Sequence, residues 1–190
     1  MLVVILAQTA AGKDSVARGL INMGYKKVVS HTTRPMRTGE VEGKDYYYHD
    51  SFDEAKDAFN QRVYHTAQGD WYYWFERNDI MDAINSTDTY ITIADVPGTR
   101  LLESIGAVPI YIYVPLYERM VRYYNRESKN EKPDYKEVLR RLIADGKDFE
   151  EFEFEALNGQ HLTVCNDDDL TKTIRLIDNE IKKIRSDGYE

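Results

Sequence analysis

Short apolar runs alternate with longer amphipathic stretches along most of the chain. Residues 2–6, 28–29, 90–94, 108–114 and 162–164 are dominated by Val, Ile, Leu and Tyr. Runs of this length without polar alternation predict strands buried on both faces, the habit of a parallel sheet. Between them the pattern predicts helices at 14–23, 98–104, 116–127, 135–153 and 170–186. The last places Ile174, Ile177, Ile181 and Ile184 on one face, a stripe that packs against a core. Regular strand–helix alternation predicts an α/β fold, a five-stranded parallel sheet with helices on both faces.

Between residues 31 and 86 the pattern changes. Thr, Tyr and charged residues replace the apolar runs, and Ser51-Phe52-Asp53-Glu54 has capping-box spacing for the start of a helix. This stretch predicts an inserted α/β subdomain with short antiparallel strands. The polar, proline-broken segment 128–134 joins two arginine-bearing helices and suits the hinge of a helical lid. The expected organisation is one domain over residues 1–190. Its core comprises 1–30, 88–117 and 154–190, its insert 31–87, and its lid 118–153. At 190 residues and 42% hydrophobic content the chain can bury a core of that size.

The only cysteine, Cys165, excludes an internal disulfide framework and fits a reducing compartment. Residues 1–7 lack a charged leader and are too short to span a bilayer, so a cytoplasmic protein with no membrane partner is expected. The net charge of −8 argues against coating nucleic acid by bulk electrostatics. Against that acidic background, basic residues gather at Arg34/Arg37 and at Arg119, Arg122, Arg126, Arg140 and Arg141. Local fields of this kind suit a phosphorylated small molecule.

Two constellations carry candidate chemistry. The first strand ends in Ala7-Gln8-Thr9-Ala10-Ala11-Gly12-Lys13-Asp14-Ser15 and runs into a helix, the layout of a P-loop. Small residues at Ala10, Ala11 and Gly12 let backbone N–H groups turn inward around phosphate oxygens, and the helix N-terminus adds its dipole. Lys13 can reach the β- and γ-phosphates as a point charge. The match to G-x-x-x-x-G-K-[ST] departs at Ala7, in place of the first Gly, and at Asp14, with Ser15 one step later. Asp14 or Ser15 suits Mg²⁺, which prefers hard oxygen ligands. Asp14 equally suits a helix-start carboxylate favoured by the macrodipole.

The second constellation is S-H-T-T-R-P-M-R-T-G-E-V-E-G-K-D-Y-Y, residues 30–47. Two arginines three apart, glycine turns and a tyrosine form a candidate dianion clamp, because guanidinium forks match phosphate oxygens. Here the chain resembles the guanylate kinase family, and the resemblance extends over nearly its whole length. Residues 90–98 are similar to that family's strand ending in Asp followed by x-x-Gly. Arg122, Arg126 and 138–142 are similar to its lid helices, and Val164-Cys165-Asn166-Asp167-Asp168 to its adenine-side V-x-N-D segment. The resemblance implies a P-loop kinase moving phosphoryl from ATP, with Mg²⁺, to a nucleoside monophosphate, GMP or dGMP foremost. It implies that Ser30, Arg34, Arg37, Tyr46 and Tyr73 hold the acceptor phosphate. Arg126 and Arg141, with Arg122, close over the transferring group. Asn166 lies near the adenine, and Asp95 between acceptor and metal.

The base end departs from the family. The family reads guanine with a carboxylate in the insert and a small hydroxyl residue after Tyr-Tyr-Gly. Here Trp74 and Phe75 follow Tyr72-Tyr73, and no acidic residue occurs from Ala58 through Gly69. Counting forward from Tyr46 puts His65 at the carboxylate position; counting back from Tyr73 puts Tyr64 there. Two alternatives therefore stay open. One is a ribose 1,5-bisphosphate phosphokinase-like enzyme, whose loop is similar to Gly12–Ser15. The other is a non-catalytic guanylate-kinase-like binding module, which Lys13 and the lid arginines oppose.

Overall fold

The computed structural model describes residues 1–53, 62–68, 70–166 and 169–187. Leu2–Leu6 forms β1, and all five of its side chains are fully buried. Lys26–Lys27 forms β2, Tyr90–Ile93 β7, Val108–Tyr113 β8 and Leu162–Cys165 β9. These make a five-stranded parallel sheet in the order β2-β7-β1-β8-β9. A strand that is apolar on both faces belongs at the centre of such a sheet, and β1 is there. The second strand lies two residues earlier than residues 28–29. At a sheet edge lysines are tolerated, and Lys26 pairs with Asp88. Val28 still donates its N–H to the Ile91 carbonyl at 3.0 Å.

By its contacts the chain divides into two compact units. The first comprises Met1–Val4 and Tyr25–Val108. It carries β3 (His31–Thr32), β4 (Tyr47–Tyr48), β5 (Arg62–Gln68) and β6 (Trp71–Glu76), with helices α2 (Arg77–Asn85) and α3 (Val96–Ser104). The four strands form a second sheet, β4-β3-β6-β5. Its pairing is antiparallel at β3–β6 and β5–β6, as expected, but parallel at β3–β4. Twelve or more residues separate parallel neighbours as a rule, and the turns of 33–46 supply that length. The unit's core joins Leu2, Val4, Val28, Phe75, Ile80, Ala83 and Leu102. The helix expected from the 51–54 capping box falls from Glu54 onward outside the described residues.

The second unit comprises Ile5–Gly24 and Pro109–Glu190. Its helices are α1 (Lys13–Asn22), α4 (Leu116–Glu127), α5 (Tyr135–Asp148), α6 (Glu150–Leu157) and α7 (Leu170–Ser186). The single helix expected at 135–153 is two helices, divided at Phe149, which is buried and closes α5 while opening α6. Glu150, Glu151 and Glu153 then fill the first turn of α6, where the helix dipole favours negative charge. The α7 stripe is inward, with Ile177 and Ile181 fully buried. Among the described residues no helix is long and apolar enough to cross a membrane.

Candidate active site

In the second unit, β1 runs into a tight loop over residues 7–12. Ala10 has φ 65° and Gly12 φ 92°. A left-handed alanine costs roughly 1–2 kcal/mol, so the surroundings must hold the loop, and they do so residue by residue. Gln8 is buried, and its Oε1 accepts from the Tyr111 hydroxyl at 3.3 Å. The Thr9 N–H donates to the Asp145 carboxylate. Ala10 packs against Tyr123, Val138 and Leu142. The Ala11 carbonyl accepts from Asn166 Nδ2 at 2.8 Å. A Cβ on Gly12 would lie 2.6 Å from that same Nδ2, so the position admits only glycine.

Lys13, Asp14 and Ser15 open α1. Gly12 supplies no side-chain cap, so the first-turn amides and the positive end of the helix dipole suit an anion. Lys13 Nζ lies 3.5 Å from the Asp14 carboxylate, whose side chain is 73% exposed. That carboxylate is an accessible hard oxygen donor at the helix start. Among the described residues no group of three or more His, Cys, Asp or Glu could cage a metal. One or two protein oxygens completed by phosphates and water is the donor set Mg²⁺ takes, and Asp14 with Ser15 fits it.

The arginines of α4 and α5 differ in how far they are engaged. Arg122 Nη2 donates to the Asn166 carbonyl at 2.7 Å and lies 3.5 Å from Glu118. Arg141 and Arg140 both hold Glu137 at 2.6 Å, and their hydrogen bonds draw its carboxyl down to about 2. Arg126 is exposed, stacks 4.6 Å over the Tyr123 ring, and has no ion pair among the described residues. Asn166 is buried and doubly engaged, since its Oδ1 also accepts from the Thr173 hydroxyl at 3.1 Å. Asp167 and Asp168 of the same segment lie outside the described residues.

In the first unit, Arg34 is the centre of a cluster. It is 5% exposed, and its Nη2 donates to both oxygens of Glu40 at 2.8 and 3.0 Å. Glu40 also accepts from the Arg37 backbone N–H at 2.8 Å and the Tyr48 hydroxyl at 2.7 Å. Burial opposes ionisation of Glu40, but the Arg34, Arg37 and Tyr48 hydrogen bonds outweigh it and hold its carboxyl at about 2. The ring of Tyr46 lies under Arg34 at 5.3 Å and meets Tyr73 edge-on at 6.0 Å. The structure thus gathers Arg34, Tyr46 and Tyr73. Ser30 stands beside them in the chain, its carbonyl accepting from the Tyr47 N–H at 3.0 Å. Arg37 differs from Arg34: its guanidinium is exposed and unpaired among the described residues.

A folded carboxyl held below its usual 4.5 contributes stability that is complete above that range and lost as pH falls towards 2. Melting curves of Glu40→Gln should therefore show a shallower acid limb than wild type below about pH 5. Parallel limbs would show that the carboxylate contributes nothing.

The family described as Guanylate kinase matches residues 1–183. The chain belongs to the guanylate kinase family. Its enzyme class is nucleoside monophosphate kinase. The guanylate kinase of Geobacter sulfurreducens is 31% identical over 149 residues, 75% of this chain and 71% of that protein. That of Caulobacter vibrioides is 29% identical over 173 residues, covering 83% and 77% respectively. A crystal structure of guanylate kinase from Anaplasma phagocytophilum shares the fold, with a TM-score of 0.67 at 19% identity, over 100% of this chain and 87% of that one.

The base end of this guanylate kinase family chain has its own arrangement. Tyr64 pairs with Phe75, His65 with Trp74 and Thr66 with Tyr73 across β5 and β6. Alternate residues face opposite ways, so Tyr64 shares a face with Tyr73 and His65 does not. His65 is exposed and stands 5.0 Å from the Phe52 ring. Tyr64 is half-buried against Gly98, where a Cβ would lie 2.7 Å from its ring. Burial, then a hydrogen bond with Asp95, push the Tyr64 hydroxyl well above its ordinary pKa. Asp95 also caps α3, accepting from the Gly98 N–H at 3.0 Å. The residues that sequence reasoning missed are Asp145, Glu40 and Thr173. Glu40 carried a signal in its place in the R-P-x-R-x-G-E run, and Asp145 one in its spacing from Val138 and Leu142 on one helical face.

Proposed function

We propose that the protein transfers the γ-phosphoryl group of ATP to a nucleoside monophosphate, with GMP or dGMP as acceptor. An oxygen of the acceptor phosphate forms the new bond to Pγ while the bond from Pγ to the β,γ-bridging oxygen breaks, giving ADP and a nucleoside diphosphate. The observation that carries the reading is the braced loop, which ends at Gly12 and presents Lys13 at an uncapped helix start. In this reading residues 7–15 cradle the phosphates of ATP, and Asn166 both supports the loop and borders the adenine. Lys13, Arg122, Arg126 and Arg141 neutralise charge spread over the transferring group, since a loose transition state needs positioning and electrostatics above all. When bound through Asp14 or Ser15, Mg²⁺ supplies charge neutralisation on the phosphate oxygens. Residues 31–87 bind the acceptor through Arg37, Arg34, Tyr46, Tyr73 and Ser30, and 118–153 form the lid.

Arg34 and Arg37 divide the work. Arg37, unpaired among the described residues, meets the acceptor phosphate, while Arg34 is held by Glu40. A charge-assisted bond of this kind is worth about 1.5–3 kcal/mol, so Arg37→Ala should raise the acceptor KM at least about tenfold. The KM for ATP should stay nearly unchanged. Equal effects on both substrates would show the assignment to be wrong.

The deciding experiment is a coupled assay of kcat/KM for GMP, AMP, their deoxy forms and ribose 1,5-bisphosphate. By the family's spacing, His65 or Tyr64 takes the place of the guanine-reading carboxylate and Phe75 that of the small hydroxyl residue, and Asp95 is engaged by Tyr64 and Gly98. GMP should be preferred over AMP by far less than the roughly 10⁴-fold that a dedicated hydrogen-bonding site reaches. A larger preference would mean that other groups read the base. Turnover of the bisphosphate alone would overturn the nucleotide reading.

A further inference from the structure

A buried charge pair holds the phosphate loop at Thr9, two residues before the Ala11 carbonyl that Asn166 holds. On α5, Val138, Leu142 and Phe149 are buried, and Asp145 falls on the same helical face with its side chain 15% exposed. A carboxylate at such a position is costly unless it is paired. Two groups answer it. The Thr9 backbone N–H donates to its Oδ2, and Arg119 Nη1 lies 3.6 Å from that same oxygen. Arg119 is itself 4% exposed, its Nε is committed to the Val114 carbonyl at 3.1 Å, and its Nη1 has no hydrogen-bond partner among the described residues. Buried ion pairs rarely add net stability over apolar residues of similar volume, so this one calls for a purpose beyond packing. Its location supplies one. Thr9 immediately precedes the strained Ala10, and Asp145 lies one helical turn after Arg141.

We propose that Asp145, charge-paired with Arg119, is a positioning residue for nucleotide binding: it fixes the Thr9 amide and so presets the phosphate loop. The loop's shape is then held before ATP arrives, and binding energy is not consumed in ordering it. The inference rests on the phosphate-loop reading given above. Its test uses the whole protein and three variants, Asp145→Ala, Asp145→Asn and Ile177→Val. Ile177 is fully buried in the same unit and outside the loop, so its variant reports stability alone. Binding of a fluorescent ATP analogue, steady-state kinetics and melting temperature are measured for each.

Asp145→Ala should weaken analogue binding and raise the ATP KM about tenfold, with the acceptor KM moved less than about twofold. Asp145→Asn keeps an oxygen for the Thr9 amide and should recover most of that loss. Ile177→Val should lower the melting temperature without moving the ATP constants. The proposal is overturned if Asp145→Ala leaves those constants unchanged, if they track melting temperature across all three variants, or if Asn does no better than Ala. Analogue binding needs no turnover. A wild-type protein that binds it but phosphorylates no acceptor would therefore sink the kinase reading and leave the positioning result standing.

Discussion

Replacing Lys13 with alanine should abolish phosphoryl transfer, lowering kcat/KM by about a thousandfold or more while leaving the fold intact. The size follows from what the side chain touches. Among the described residues its partner is Asp14 at 3.5 Å, in a pair that is 33% and 73% exposed, and partly exposed ion pairs contribute little to stability. Removing it therefore costs the protein little in folding and costs the transition state a preorganised positive charge. Single groups of that kind are worth about 10²–10³ in kcat, and more where charge is spread over a phosphoryl group. Lys13→Arg should not rescue, because a planar fork does not replace a compact ammonium reaching into a narrow loop. Equal melting temperatures with lost turnover would support the reading. Retention of most of the activity would end the kinase assignment and raise that of a binding module.

The next largest effect is expected at Arg126. Arg141 is tied to Glu137 and Arg122 to Glu118 and the Asn166 carbonyl. Arg126 rests only on the Tyr123 ring among the described residues, a contact worth about 0.5–1 kcal/mol at an exposed site. In the proposed reading it is thus the lid arginine most easily released to a transferring phosphoryl group. Arg126→Ala should lower kcat by about 10³-fold, the lower bound for such arginines, with both KM values nearly unchanged. A rise in KM at constant kcat would assign Arg126 to ground-state binding, and an unchanged kcat would remove it from the machinery.

The sheet and most helices were legible because each is set by local pattern. Five apolar residues in a row at 2–6 admit one environment, and β1 occupies it. The Gly12-Lys13 step announced the loop in the same way. Contacts between residues distant in the chain were not legible. Thr9 and Asp145 are 136 positions apart; the spacing 138, 142, 145, 149 puts Asp145 on the apolar face of its helix, but nothing in it points to the distant amide that the carboxylate meets. The division at Phe149 was hidden because, Gly146 apart, the residues on either side suit a helix and the apolar stripe runs on through Phe149 and Phe152. Arg34 and Arg37 looked equivalent in the sequence. Only the fold shows Glu40 turning back to occupy one and leave the other exposed. Counting from Tyr46 points to His65 and counting from Tyr73 to Tyr64, and only the strand register shows that Tyr64 is the one on the face of Tyr73.

The position of the lone thiol has a practical side. Cys165 is exposed at the end of β9, immediately before the asparagine that holds the Ala11 carbonyl. Maleimide chemistry would therefore attach one dye per chain, with no second site to block and no background from a mixed population. An environment-sensitive fluorophore there would sit one residue from the brace of the loop, so changes around Asn166 on nucleotide addition could be read as an emission change in unmutated protein.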